Sequence, residues 1–85
     1  MEDELERQVI ELIARKKKLE PAQISLDSTF EQLAIDSLDG MDLIFTFEDV
    51  FNVTVPDQAA QTMKSVRQAV EGLRALKANR SVEAG

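Results

Sequence analysis

The chain has 85 residues, enough for one small domain, and it contains neither cysteine nor histidine. Disulfides, thiolate zinc sites, cysteine nucleophiles and histidine general bases are therefore excluded. The formal net charge of −6 argues against a nucleic-acid partner, because phosphate binding requires clustered Lys and Arg. The acidic N-terminus does not resemble a secretory signal, and no apolar run approaches the roughly 18–20 residues that span a bilayer. We expect a soluble cytoplasmic protein with no membrane insertion.

The first predicted helix covers residues 3–17. Its apolar residues recur at the spacing of one helical face: Leu5, Val9, Leu12 and Ile13. Acids fill its first turns and bases its last, which complements the helix dipole. We interpret the lysine run at 16–18 as a solvated helix end rather than a docking patch. Pro21 predicts that the helix stops by Leu19 or Glu20.

A long loop is predicted over residues 21–36. Its apolar residues are too frequent for a free linker, and they are Ile24, Leu26, Phe30, Leu33 and Ile35. We expect the loop to pack on the core. Within it, "STFEQL" predicts a single helical turn with Ser28 or Thr29 as its cap.

The second predicted helix covers residues 37–51. Asp36 is the expected N-cap, and Asp39 imitates a capping box with aspartate in place of glutamate. One apolar stripe suits the core and consists of Leu43, Phe47, Val50 and Phe51. A second apolar row consists of Leu38, Met41 and Phe45. Two rows give more apolar surface than one core face requires, so part of this surface is expected to face a partner.

Negative charge is concentrated around this helix. Residues 1–35 carry eight acids and five bases (−3), residues 36–57 six acids and no base (−6), and residues 58–85 two acids and five bases (+3), which sum to −6. The central segment alone equals the whole net charge. Such a segment favours a basic protein surface as partner.

The remaining chain predicts a connector, a short helix and a last helix. "NVTVPD" at 52–57 reads as an extended connector more simply than as an edge strand. Asp57 is expected to cap a short helix over 58–63, and Ser65 to lie at or near the N-cap of a last helix over 65–78. The predicted fold is all-α: three main helices and one short helix in a small bundle, with a packed long loop. Residues 1–78 form the domain, and 79–85 a flexible tail.

Ser37 is the residue whose role most needs explaining. "DS" before an apolar periodic run is what an ordinary helix start looks like. A Ser-His-Asp nucleophile is excluded because the chain has no histidine. The acids nearby do not form a calcium loop, since glycine falls at position 5 from Asp36 and position 12 is Phe47; no metal site is expected. A hydroxyl in a first helical turn is nevertheless a good anchor for a phosphate-linked group, which free N–H groups and the helix dipole would stabilise.

Here the sequence resembles the acyl carrier proteins of the fatty-acid and polyketide type. Their attachment motif is matched by Asp36-Ser37-Leu38, followed by Asp39. The wider pattern "F..L..DSLD...L...FE..F...VPD" extends the resemblance, which covers roughly residues 3–78. Some positions depart from the fatty-acid type: Ile35, Gly40, Val50 and Thr54. These departures leave a specialised pathway open.

The resemblance implies a carrier that is not itself an enzyme. A phosphopantetheinyl transferase would move phosphopantetheine from coenzyme A onto Ser37, with Asp36 and Leu38 flanking the cofactor. The arm's thiol would hold acyl intermediates as thioesters of fatty-acid or polyketide synthesis. Acyl-transfer, ketosynthase and related enzymes would then bind the second helix of a monomeric protein through basic docking patches. The matching docking positions are Asp36, Leu38, Asp39, Met41, Asp42, Phe45, Glu48 and Asp49.

Three functional hypotheses stay open on the sequence. The favoured one is a discrete acyl carrier. The second is a carrier of aminoacyl or peptidyl groups, because the cargo is not written in the carrier sequence. The third is a non-carrier helical interaction module, in which Ser37 only begins a helix.

Overall fold

The protein is a small helical bundle, as a computed structural model shows. The structure describes the backbone of residues 4–84 and the side chains of residues 4–78. Its helices are α1 (Glu4–Lys17), α2 (Ser37–Phe51), α3 (Asp57–Thr62) and α4 (Val66–Ala84), with a single 3-10 turn at Pro21–Gln23. Residues 4–84 contain no β-strand. The predicted fold class is therefore confirmed, with three long helices and one short one. No helix among the described residues is long and apolar enough to cross a membrane.

The core lies where α1, α2 and α4 meet. Each of these helices contributes most of the apolar face that its periodicity predicted. The largest fully buried side chains are Val9, Ile13, Phe47, Val66, Val70 and Leu73. Phe47 and Phe51 are in tilted ring contact, with centroids 6.2 Å apart. This packing fixes which face of α2 points inward.

The long loop packs on the core and is attached to the start of α4. Ile24 and Ile35 are buried. Backbone hydrogen bonds join the loop to the residues around the α4 N-terminus: Phe30 N to Lys64 O at 3.0 Å, Val66 N to Ser28 O at 3.0 Å and Arg67 N to Leu26 O at 2.9 Å. The prediction of a packed loop is confirmed.

Thr29 caps a single hydrogen-bonded turn within this loop, as the sequence predicts. Thr29 and Gln32 exchange two hydrogen bonds of 3.0 Å, one from each backbone N–H to the other's side chain. The N–H of Leu33 donates to Thr29 O at 3.1 Å. Ala34 then adopts a left-handed φ of 60°, which ends the turn and delivers the chain to Asp36.

Residues 53–56 connect α2 to α3 without regular structure, which confirms the extended connector. The short helix α3 begins at Asp57, one residue earlier than expected, and its N-cap is Pro56. The prediction that Asp57 caps this helix is therefore wrong, because Pro56 supplies the extended backbone that precedes the first turn. Ser65 is confirmed as the cap of α4, since its Oγ accepts from Gln68 N at 3.2 Å.

Both ends of the chain differ from the sequence prediction or lie outside the described residues. The last helix continues to Ala84 instead of ending at residue 78. Residues 79–84 contain neither glycine nor proline, so nothing in their local chemistry terminates the helix. The mobility expected for 79–85 stays a prediction, with Gly85 outside the described residues. Asp3, the predicted start of the first helix, also lies outside them.

Candidate functional site

Ser37 is the first residue of α2 and is exposed. Asp36 precedes it with extended backbone and caps the helix: its Oδ1 accepts a hydrogen bond from Asp39 N at 2.9 Å. Its carbonyl accepts from Gly40 N at 2.8 Å. Asp36 is therefore confirmed as the N-cap, and it holds Ser37 in the first helical position.

The Ser37 hydroxyl makes no hydrogen bond with any described residue, and neither do the N–H groups of Ser37 and Leu38. A phosphate ester on this oxygen would lie at the positive end of the α2 dipole, next to N–H groups that lack a partner in the described chain. The site therefore fits a phosphate-linked group. By contrast, the hydroxyls of Ser25 and Ser28 contact each other at 3.3 Å, and that of Ser65 caps α4.

Two lysines at the end of α1 form ion pairs with the start of α2. Lys16 Nζ lies 2.9 Å from Asp42 Oδ2 and 3.9 Å from Asp39 Oδ1. Lys17 Nζ lies 2.9 Å from Asp39 Oδ2 and donates to Ala34 O, also at 2.9 Å. The prediction of a solvated helix end at residues 16–18 did not include these ion pairs of Lys16 and Lys17. The missed signal was a basic helix end followed, one loop later, by an acidic helix start.

These contacts alter the ionisation of Asp39 and of Lys16. The hydrogen bond from Lys17 is the largest cause that lowers the pKa of Asp39 below its ordinary value of 3.8. The hydrogen bond to Asp42 is the largest cause that raises the pKa of Lys16. Asp39 also differs from its predicted role in a capping box. Its carboxylate accepts from Lys17. Of the two hydrogen bonds of a capping box, α2 therefore has only the one from Asp39 N to the Asp36 side chain.

The second apolar row of α2 is exposed. Leu38 is 73% exposed, Met41 54% and Phe45 60%. On the opposite face, Leu43, Phe47 and Phe51 are buried. The sequence prediction that α2 carries more apolar surface than the core can cover is confirmed. We call Leu38, Met41 and Phe45 the apolar row.

Val50 was expected in the core, but it is 49% exposed. It lies on the side of α2 that faces α1, where it lines a shallow surface cavity with Leu12. The stripe assignment was wrong at this position, because residue 50 follows Phe47 by three residues and so falls at the edge of the buried face.

Gly40 has no packing explanation, since a Cβ there would meet nothing within 4 Å.

The predicted docking acids differ in their surroundings. Asp36 caps the helix, and Asp39 and Asp42 are paired with lysines. Glu48 is half-buried, and its Oε2 accepts from Val55 N at 2.8 Å. Asp49 is exposed and makes no hydrogen bond or ion pair with a described residue. No three acidic side chains among the described residues are grouped to hold a metal ion.

The chain is similar to known carrier proteins in both sequence and fold. Residues 7–73 match the family model for the phosphopantetheine attachment site. The acyl carrier protein of Porphyromonas gingivalis is 36% identical over 69 residues, which are 80% of this chain and 88% of that protein. The acyl carrier protein of Treponema pallidum is 38% identical over 73 residues, 85% of this chain and 94% of that protein.

Solved structures show the same fold. An acyl carrier protein from Thermotoga maritima superposes with a TM-score of 0.72 at 22% identity, covering 88% of this chain and 94% of that one. A mupirocin didomain acyl carrier superposes with a TM-score of 0.77 at 20% identity, covering 89% of this chain and 42% of that one. On the family match and the sequence identity together, the chain belongs to the acyl carrier protein family, whose members carry acyl groups on phosphopantetheine.

Proposed function

We propose that Ser37 is the attachment residue of this carrier and that the apolar row of α2 is the surface on which partner enzymes dock. One observation supports this most directly: Ser37 is exposed, and its hydroxyl has no partner among the described residues. The next residue, Leu38, also has an exposed side chain. Met41 follows Ser37 by four residues in α2, so the hydroxyl and this part of the apolar row lie on the same side of the helix.

The chain's own residues hold and present the group, and they do not catalyse its reactions. Asp36 fixes the helix start, and the N–H groups of the first turn would stabilise a phosphate attached to Ser37. When bound, phosphopantetheine supplies a thiol that holds the acyl group as a thioester. Because the chain has no histidine or cysteine, proton removal and acyl transfer are left to the partner enzymes.

The partners we propose are a phosphopantetheinyl transferase and the acyl-transfer and ketosynthase enzymes of fatty-acid or polyketide synthesis. Phe45 and Met41 are large exposed apolar side chains one turn apart, the type that fills pockets at protein interfaces. Asp36, Leu38, Asp39, Asp42, Glu48 and Asp49 complete the proposed contact surface. We further propose that the carrier works as a monomer in the cytoplasm.

The acyl hypothesis is favoured over its two alternatives. Relatives at 34–38% identity are named acyl carrier proteins, which favours acyl over aminoacyl or peptidyl cargo. The match of residues 7–73 to the attachment-site family argues against the hypothesis of a non-carrier interaction module.

Loading experiments with the holo protein would test the cargo. The protein is first incubated with coenzyme A and a broad-specificity transferase, and the holo form is confirmed by intact mass. It is then offered to a malonyl transferase and, separately, to an aminoacyl-adenylating enzyme of a nonribosomal synthetase. We expect a malonyl thioester and no aminoacyl thioester. The reverse pattern would replace the acyl assignment by the aminoacyl one.

A further inference from the structure

The ion pair between Lys16 and Asp42 lies at the edge of the apolar row, on the surface where partners are proposed to dock. Asp42 belongs to the same stretch of α2 as Met41 and Phe45. Its side chain is 62% exposed, yet its Oδ2 is already 2.9 Å from Lys16 Nζ. Lys16 itself is partly accessible, with 32% of its side chain exposed. A cationic side chain from another protein would therefore find Asp42 already paired with Lys16.

The other acids near the start of α2 and along it differ in how far this chain already offsets their charge. Asp39 is paired with Lys17, and Glu48 accepts from the N–H of Val55. Asp36 accepts from Asp39 N. Among the described acids of α2, Asp49 is the one that makes no such contact. Asp39 and Asp42 are therefore the acids whose charge a lysine of this chain offsets, whereas a bond from a backbone N–H leaves the charges of Asp36 and Glu48 in place.

We propose that Lys16 is an internal competitor for the basic groups of docking partners. It occupies Asp42, so it weakens the docking of a partner that sets an apolar pocket on Phe45 and Met41 and a basic rim on Asp42. Partners that depend on Lys or Arg at this position must first displace Lys16. The inference rests on the proposed function, because it assigns partner chemistry to the same docking surface.

The size of the effect follows from the exposure of the pair. Exposed ion pairs contribute modestly, so removing the competitor is expected to improve association with a basic partner by about two- to fivefold. The gain is an effect between exposed charges. It should therefore shrink as the Debye length falls from about 10 Å at 0.1 M salt to about 3 Å at 1 M.

Lys16→Gln tests the inference, with Lys18→Gln as its matched control. Both variants remove one positive charge from the end of α1, but Lys18 is exposed and makes no ion pair with a described residue. Lys17 still ties α1 to α2 in both. The measurement is kcat/KM for modification by a transferase with a basic docking surface, at about 0.1 M and about 1 M salt. We expect a two- to fivefold gain for Lys16→Gln at low salt alone, and less than about half that gain for Lys18→Gln.

A double-mutant cycle with Asp42→Asn separates local competition from a change in net charge. In the Asp42→Asn background, Lys16→Gln should change the rate by less than about 1.5-fold. The carboxylate for which Lys16 and the partner compete is then absent. Equal gains for both lysine variants, a gain that persists without Asp42, or no gain at all would overturn the inference. If the unsubstituted protein is not modified by the transferase, the proposed function itself fails. If it is modified normally but Lys16→Gln gains nothing, the competitor role alone fails.

Discussion

Glu48 and Asp49 are neighbouring acids on α2 with different surroundings. Glu48 is half-buried and accepts the N–H of Val55, whereas Asp49 is exposed with no described partner. Glu48→Ala leaves that N–H unpaired, so we expect it to lower the free energy of unfolding by about 1–3 kcal/mol. Asp49→Ala, the matched control, should stay within about 0.5 kcal/mol of the parent protein. Urea unfolding measures both, and equal losses would contradict the role of Glu48 in holding the connector after α2.

Asp39 gives the stability of the protein a specific dependence on pH. Its pKa is lowered below 3.8 in the folded protein, chiefly by the hydrogen bond from Lys17. A group with a lowered folded pKa stabilises the protein above its unfolded pKa, and the contribution is lost as pH falls through the folded value. The parent protein should therefore exceed Asp39→Asn in stability at neutral pH, and the difference should narrow below pH 3.8. A difference that stays constant in acid, measured by urea unfolding, would show that Asp39 does not carry this dependence.

At the scale of single residues, the sequence predicted backbone roles better than side-chain partners. Asp36 and Ser65 were predicted as caps because capping depends on residues three positions apart in the chain. The pairs of Lys16 and Lys17 with α2 could not be predicted in this way, because they join residues separated by a whole loop. The bond from Val55 N to Glu48 could not be predicted for a related reason, because it joins α2 to a residue of the connector that follows it.

Among the elements, α2 has two apolar faces with opposite functions. Phe47 is 1% exposed and Phe45 60% exposed, although they are only two residues apart. Phe47→Ala should lower the free energy of unfolding by about 3–5 kcal/mol, because it opens a cavity in the core. Phe45→Ala should leave the free energy of unfolding nearly unchanged but lower kcat/KM for modification by about five- to thirtyfold, as the loss of an interface anchor does.

Thermal or urea unfolding and transferase kinetics on both variants test this division. Unchanged kinetics for Phe45→Ala would remove the apolar row from the docking surface. A large drop in the free energy of unfolding of Phe45→Ala would instead show that Phe45 stabilises the fold.

Element positions were largely predictable because each long helix carries a strong apolar period. The bounds of α2 follow from Asp36 at one end and from Asn52 at the other, which adopts the left-handed conformation after the last turn. The end of α4 was not predictable from periodicity, since the helix continues beyond its last apolar residue. Val50 shows a further limit: a stripe indicates the direction of the core but not how far a neighbouring helix covers its edge.

Over the whole molecule, the long loop behaves as part of the bundle because it is bonded to the start of α4. The N–H groups of Phe30 and Val66 take part in this junction. We expect them to exchange with solvent as slowly as core helical amides such as that of Leu73. They should exchange far more slowly than the amide of Ser37, which has no partner among the described residues. Hydrogen exchange followed by NMR measures each amide separately. If Phe30 exchanged as fast as Ser37, the loop would open independently of the bundle.

The central claim is that this bundle presents one serine for phosphopantetheine. Intact-mass measurement after incubation with coenzyme A and a broad-specificity transferase tests it on the parent protein and on Ser37→Ala. The parent should gain one phosphopantetheine, and Ser37→Ala should gain none while keeping its helical circular dichroism, because the lost hydroxyl makes no hydrogen bond with a described residue. Ser25, Ser28, Ser65 and Ser81 remain in the variant as internal controls. Modification of Ser37→Ala, or a parent protein that gains no mass, would contradict the claim.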